Sequence, residues 1–451
     1  MYKAIVVKLT NVREHNNAHS LQLATVCGNQ VVVGLDAKDG DIGVYFDVDG
    51  ALTSHFLSNM NLYRKGDMNA DKTKTGMFDD NGRVRAQNLR GEKSEGFWLE
   101  LENVVSTFGS DVPEGIGAEF DMIGKETICL KYISPTTKRA QGTQSTSKKI
   151  KNEMFHQHFD TKQFGRNAAL IGLDDVVIIT EKFHGTSQRV ANVLAPKPLH
   201  FWTSLCGWFA DGWWLTETNS WTDMIGTRRV ILGKDKYKDA NSFHPISFRE
   251  RAAEPFIGRM HKGETFYYEV VGYESEDKLI MGSHGNEKLK KHLKKEDYKS
   301  FIDAYGDTTE FTYGCGKGEL GIYVYRITTT NEDGYSVDLS WDAVKERCNE
   351  LEISHVPELY RGTRRQMAAV NQWFDRGTRT PEEYIIDLSN MFIKRLSEGK
   401  TTIGHNLSEG VCLRVEKGIT PLVLKEKNFD FKVLEGIIKD SGVVDVEEAE
   451  G

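Results

Sequence analysis

The chain has 451 residues, 27% charged and 39% hydrophobic, with a formal net charge of −8. That length accommodates two or three domains with cores of their own, and the charge excludes a bulk polycation, so any nucleic-acid binding must come from local basic surface. No apolar run approaches the roughly 20 residues of a bilayer span, and the six scattered cysteines contain no Cys-x-x-Cys pair. No membrane association, disulfide framework or zinc ribbon is expected, and a reducing cytoplasm is the expected location.

Met1-Tyr2-Lys3-Ala4-Ile5-Val6-Val7 opens the chain as a strand and not as a signal peptide. Further apolar or alternating runs at Lys3–Leu9, Gln30–Leu35, Ile42–Val48, Phe97–Val104 and Thr127–Ile133 are separated by Gly, Asn and Asp clusters. This spacing suits a small β-barrel or sandwich, of which a five-stranded OB-type barrel is one member that periodicity alone does not select. Arg83, Arg85 and Arg90 precede Phe97-Trp98. Basic residues interleaved with aromatics suit a nucleic-acid-binding face built on Arg83, Arg85, Arg90 and Trp98, or equally a solvated hairpin.

From Ser134 to Lys151 the composition turns to Pro, Thr, Ser, Gln, Gly and Lys, with almost nothing to bury, and reads as a linker. Beyond it, strands are predicted at Val176–Thr180, Thr265–Val271, Gly321–Thr328, Val411–Val415 and Leu422–Lys425. Helices are predicted at Glu287–Ala304, Ser340–Glu350, Thr363–Phe374 and Pro381–Leu396, the last opened by Pro and two acids. The lysines between Lys288 and Lys295 read as a solvated helix face. Phe201, Trp202, Trp208, Phe209, Trp213, Trp214 and Trp221 crowd one segment, which reads as a satellite core under a long loop ahead of a base-stacking surface. The pairs His15/His19 and His156/His158 lack a third ligand nearby and read as surface histidines.

The candidate chemistry starts at Glu181-Lys182-Phe183-His184-Gly185-Thr186, which follows the apolar run Val176–Ile179. A lysine at the end of a buried strand becomes a nucleophile when desolvation or neighbouring cations favour its neutral form. Gly185 permits a turn and close phosphate approach. The four-residue pattern alone recurs by chance, but further signals follow in order. Glu269 is a lone carboxylate within Phe266–Gly272, costly to bury unless it binds something. Tyr323 and Tyr325 occupy alternate strand positions. Ser408-Glu409-Gly410 offers a second carboxylate, and Lys425-Glu426-Lys427 points two amines to one side. Ser94-Glu95-Gly96 repeats the Ser-Glu-Gly pattern but precedes Lys182, so the metal role is assigned to Glu409.

The ordered series resembles motifs I, III, IIIa, IV and V of the covalent nucleotidyltransferase superfamily of ligases and capping enzymes, over roughly residues 165–435. His184 is similar to the RNA ligase 2-like group. A β-rich module ahead of the lysine motif resembles Deinococcus-type RNA ligases (RNA ligase 5 family). The resemblance implies an α+β chain with an N-terminal OB-type β-barrel, followed by a mixed α/β nucleotidyltransferase (ATP-grasp-like) domain. The implied boundaries are 1–135 for a nucleic-acid-binding OB domain, 136–160 for a linker, 161–440 for the adenylyltransferase domain and 441–451 for an acidic tail. It implies ATP with Mg²⁺ or Mn²⁺, and RNA or an RNA-containing nicked duplex as partner, with no obligate protein partner.

By the same resemblance Lys182 attacks the α-phosphate and carries AMP, Glu181 reads the adenine edge, and His184 serves a later step. Glu269 binds the ribose, Tyr325 stacks on the base, Glu409 holds the metal, and Lys425 and Lys427 contact the α-phosphate. An arginine of motif Ia is also implied, with Arg228 as candidate. Arg326 departs from the Asp usual after the stacking aromatic. The alternatives are a DNA ligase or guanylyltransferase of the same superfamily, or a non-catalytic nucleic-acid-binding protein with a degenerate ligase domain.

Overall fold

The computed structural model describes residues 2–142, 152–197, 218–232, 246–371 and 379–440. Its C-terminal half is built on two sheets. The first runs Lys162–Gln163, Leu422–Lys427, Gly410–Val415, Val177–Lys182, Glu358–Gly362. The second runs Ile231–Leu232, Thr218–Thr227, Thr186–Lys197, Glu264–Gly272, Leu320–Thr330, Ser336–Asp338.

The strand Val177–Lys182 reads as an unbroken apolar run because both of its faces are covered. Val177 and Ile179 pack with Val411, Leu413 and Leu424 in one core, whereas Ile178 faces the other, with Val190, Phe266 and Val324. Only Phe183, His184 and Gly185 separate this strand from Thr186, the first residue of a strand in the second sheet. A Cβ on Gly185 would lie 2.4 Å from the Val270 carbonyl oxygen, so this crossover requires glycine.

The helices follow their local signals. Trp341–Glu350 is capped by the Ser340 side chain, and Pro381–Ser397 begins with Pro after a Thr380–Glu383 capping box. Two predictions change. The strand expected at Phe97–Val104 stops at Glu100 and continues as the helix Leu101–Phe108. The helix expected from Glu287 is a 3₁₀ turn, Asn286–Lys291, followed by a separate helix, Lys295–Tyr305. The expected linker begins as the helix Pro135–Gly142; its remainder up to 151, most of the Trp-rich segment and the acidic tail lie outside the described residues. No helix among the described residues is long and apolar enough to cross a membrane.

The N-terminal region is β-rich as expected, but no closed barrel forms among the described residues. Ala4–Lys8 and Ile42–Phe46 pair at the centre of a four-stranded antiparallel sheet. Thr10–Glu14, Leu21–Val26 and Asn29–Gly34 form a separate three-stranded one. The strands are mostly three to six residues long, and their apolar residues gather into two neighbouring cores instead of one barrel interior.

This region is joined to the C-terminal half both by apolar contacts of Ala86 and Val48 and by buried charge. Glu95, 6% exposed, meets Lys394 at 3.0 Å and Lys432 at 2.5 Å, and both lysines also approach Glu426. Arg83 is buried against Asp440 at 2.8 Å and donates to the Gly436 carbonyl. Burial would raise the Glu95 carboxyl, but Lys394 and Lys432 outweigh it and hold it down at about 2.

Replacing Glu95 by Gln leaves the buried Lys432 and the half-buried Lys394 sharing Glu426, and should lower unfolding free energy at pH 7 by about 3 kcal/mol, read from the urea midpoint. A depressed carboxyl contributes stability above its unfolded pKa of about 4.3, and that contribution is lost as pH falls through the folded value. The gap between wild type and Glu95→Gln should therefore narrow steadily from pH 5 to about 2.

Candidate active site

Strand register assembles the site. Lys182 lies opposite Gly410, which lies opposite Lys427; two residues along, Thr180 lies opposite Cys412, which lies opposite Lys425. Side chains alternate along a strand, so Thr180, Lys182, Cys412, Arg414, Val423, Lys425 and Lys427 emerge on one face, and all of them line one pocket. The second sheet supplies the opposite wall through Ser187, Glu269, Tyr325 and Arg326.

Glu409 is the electrostatic centre of this pocket. It is 4% exposed, with Lys182 Nζ at 2.6 Å, Lys427 Nζ at 3.7 Å and His184 Nδ1 at 3.9 Å. Burial works to raise its carboxyl, but Lys182 and Lys427 prevail and keep it below the ordinary carboxylate range. Lys425 is lowered by burial and then by Lys427 and Lys182. The next residue after Glu409 must be glycine: Gly410 has φ +140°, and a Cβ there would sit 2.1 Å from the Glu426 carbonyl oxygen. That close approach brings Glu409 beside Lys427.

The aromatic wall depends on an irregularity in the second sheet. Tyr267 pairs with Arg326 and Tyr268 with Val324, which leaves Tyr325 as the extra residue of a bulge. Its hydroxyl and that of Ser187 are 2.8 Å apart. Tyr323, expected on the same face, instead packs edge-on against Phe183.

Glu181 borders the pocket, but its carboxylate accepts hydrogen bonds from the Thr402 backbone N–H and hydroxyl, and burial raises its pKa. The His184 ring lies outside the pocket lining, between Phe311 and Phe431. Arg228 is on the pocket wall and pairs with Asp160 at 2.7 Å.

The N-terminal candidates sit elsewhere. Arg83 and Arg85 both pair with Asp440, and Arg85 also pairs with Asp79, so these cations hold the C-terminal helix and are not a free basic face. Trp98 packs on Gly43, whose added Cβ would lie 2.2 Å from the ring. Arg90 is exposed at a hairpin turn with φ +50°.

A family model for RNA ligase matches residues 175–434. The chain belongs to the RNA ligase family. No curated protein matches it. Among solved structures, a point mutant of the Naegleria gruberi RNA ligase with ATP and Mn aligns at a TM-score of 0.54 and 14% identity, covering 97% of this chain and 99% of that one. A second mutant of the same ligase, with AMP and Mn, gives a TM-score of 0.53 at 14% identity over 95% and 97%. The fold of this RNA ligase is thus shared along nearly its whole length.

Several pocket residues carry no signal in the sequence. His158, expected at the surface, lines the pocket and meets Tyr325 edge-on at 5.1 Å. Burial, followed by Arg326 and Arg228, pushes its pKa well below the ordinary histidine value. His15 is also buried, with Nε2 at 3.1 Å from the Leu89 carbonyl. Arg326 makes a two-pronged pair with Asp338, at 2.6 and 2.9 Å, and its guanidinium lies over the Phe159 and Tyr267 rings. No group of three or more His, Cys, Asp or Glu among the described residues is placed to hold a metal by itself. A divalent cation here would rest on Glu409 and on groups brought by the substrate.

Asp338→Asn should leave the Arg326 guanidinium buried without a counter-charge. The expected loss is about 3 kcal/mol of unfolding free energy, measured by denaturant titration. An Arg326→Met, Asp338→Leu double variant should recover most of it.

Proposed function

We propose that this RNA ligase is ATP-dependent and joins a 3′-hydroxyl to a 5′-phosphate through a lysyl–AMP intermediate. The observation that carries the proposal is the register row Lys182–Gly410–Lys427, with Glu409 2.6 Å from the Lys182 amine. A strand-end lysine among other cations is suited to lose its proton and attack. In the first step the Lys182 nitrogen bonds to the α-phosphorus of ATP, the bond to the bridging oxygen breaks, and pyrophosphate leaves. In the second, a 5′-phosphate oxygen takes the AMP and the P–N bond breaks. In the third, the 3′-hydroxyl attacks the activated 5′-phosphorus and AMP departs.

Lys425 and Lys427 neutralise charge developing on the non-bridging oxygens, held in advance by their strand. Tyr325 offers its ring to the adenine and Glu269 its carboxylate to the ribose. Arg228, on the pocket wall, is the candidate motif Ia arginine for the nucleotide, and His184, beside Glu409, serves a later step. A divalent cation, Mg²⁺ or Mn²⁺, supplies further charge neutralisation on phosphate when bound. Glu409 fits this role as a buried, ionised carboxylate bordering the lysines. The Mn in the similar Naegleria structures supports the choice of metal class.

A β-rich region ahead of the lysine motif supports placement near the Deinococcus-type ligases and sealing of nicks in duplexes over joining of free ends. RNA is the expected partner, through surface not formed by the Arg83–Arg85 pair.

Incubation with α-labelled ATP and Mn²⁺ should label the wild-type protein and leave Lys182→Ala unlabelled. Label surviving in Lys182→Ala would sink the proposal. Labelled GTP should give no band, and nicked duplexes with ribose at the 3′-hydroxyl end should seal faster than those with deoxyribose. Tyr325→Ala should raise the KM for ATP by roughly tenfold, the cost of one lost stacking contact of about 1–3 kcal/mol.

A further inference from the structure

Lys425 and Lys427 face the pocket, and the next layer of charge behind Lys427 leads out of the catalytic half altogether. Its ammonium is 2.8 Å from Glu435 and 3.7 Å from Glu409. Glu435 lies on the C-terminal helix Phe429–Asp440 and also meets Lys439, one helical turn on, at 3.3 Å. Lys439 in turn meets Asp49 of the N-terminal region at 3.5 Å. Asp49 occupies the turn between Ile42–Phe46 and Gly50–Leu52 with φ +74°. Its carbonyl accepts from the Tyr132 N–H.

Four alternating charges thus run from the N-terminal region to the pocket: Asp49, Lys439, Glu435 and Lys427. Phe431, on the same helix as Glu435, places its ring 5.3 Å from the Lys427 ammonium. With Glu409 in front and Glu435 behind, this ammonium is held from two sides. Left with Glu409 alone, a four-carbon flexible side chain would be drawn toward the carboxylate that also holds Lys182.

We propose that Glu435 is a positioning residue for Lys427 in lysine adenylylation, and that Asp49, acting through Lys439, extends this support into the N-terminal region. The inference rests on the ligase reading of Lys182. It assigns roles to two carboxylates that do not line the pocket. A phosphate-contacting lysine displaced by a fraction of an ångström loses the transition state while ATP binding elsewhere in the pocket is kept.

The test uses the full-length chain and follows the rate of label transfer from α-labelled ATP across ATP concentrations. Glu435→Gln keeps the shape and removes the charge; its maximal rate should fall about tenfold or more with KM changed less than about threefold. Glu435→Asp should recover part of that rate. Asp49→Asn, at a partly exposed turn, should cost about threefold, and the double variant should cost no more than Glu435→Gln alone, because both act through one contact.

Glu95→Gln is the control, since it unpairs Lys394 and Lys432, the second on the same helix as Glu435, and removes no partner of Lys427. It should lower the melting temperature and leave the maximal rate within about twofold. The inference is overturned if Glu435→Gln labels at the wild-type rate, or if Glu95→Gln loses rate to the same degree. Absence of label on the wild-type chain would instead overturn the ligase reading, and this inference with it.

Discussion

The pairing register of three strands is the constraint on which the site depends. Val177–Lys182, Gly410–Val415 and Leu422–Lys427 each place apolar residues toward a helix-covered core and functional residues toward the pocket. A slip of one residue would exchange the faces. Lys182 and Lys427 would enter the core, while Leu413 and Leu424 would enter the pocket. The apolar set therefore stabilises the fold and aligns the amines in the same act. Gly410 marks where this alignment is tightest, since no side chain fits between its strand and the next.

Charge balance explains the chemistry that this alignment allows. Lys182, Lys425, Lys427, Arg228, Arg326 and Arg414 line the pocket, against the carboxylates Glu181, Glu269 and Glu409. Glu181 is bonded to Thr402, Arg326 to Asp338 and Arg414 to Glu416. What faces the ligand space is a group of lysines organised around Glu409. Without a polyanion that carboxylate is the counter-ion of Lys182.

Much of this was legible in the sequence, and what was not has a common cause. The strands ending at Lys182 and carrying Glu269, Lys425 and Lys427, and the Ser-Glu-Gly start before Gly410–Val415, are local signals, read from apolar runs and from the polar residues that interrupt them. The caps at Ser340 and Thr380 are equally local. Arg83 and Arg85 were not legible, because their partner Asp440 is more than 350 residues away in sequence. Glu95 looked like a chance copy of Ser-Glu-Gly, although it anchors the join between the two halves, for the same reason. His158 lies near no other motif residue in sequence and reaches the pocket only through the fold. The N-terminal strands are legible, but the absence of a closed barrel is not, because which strands pair is a property that periodicity does not contain.

Arg326 shows how a departure from a family pattern is absorbed. An Asp at that position would add a negative charge beside Tyr325; this chain has a cation there. The cation does not remain as added positive charge, because the adjacent strand supplies Asp338 at 2.6 Å and the rings of Phe159 and Tyr267 cover the guanidinium. The pair is nearly neutral and rigid, and it sits in the bulge that sets Tyr325. Its two-pronged geometry ties Leu320–Thr330 to Ser336–Asp338 through side chains as well as through the backbone ladder. The substitution thus exchanges a negative charge in the pocket for a brace behind the Tyr325 ring. Glu409 keeps its place among the lysines, 2.6 Å from Lys182 and 3.7 Å from Lys427.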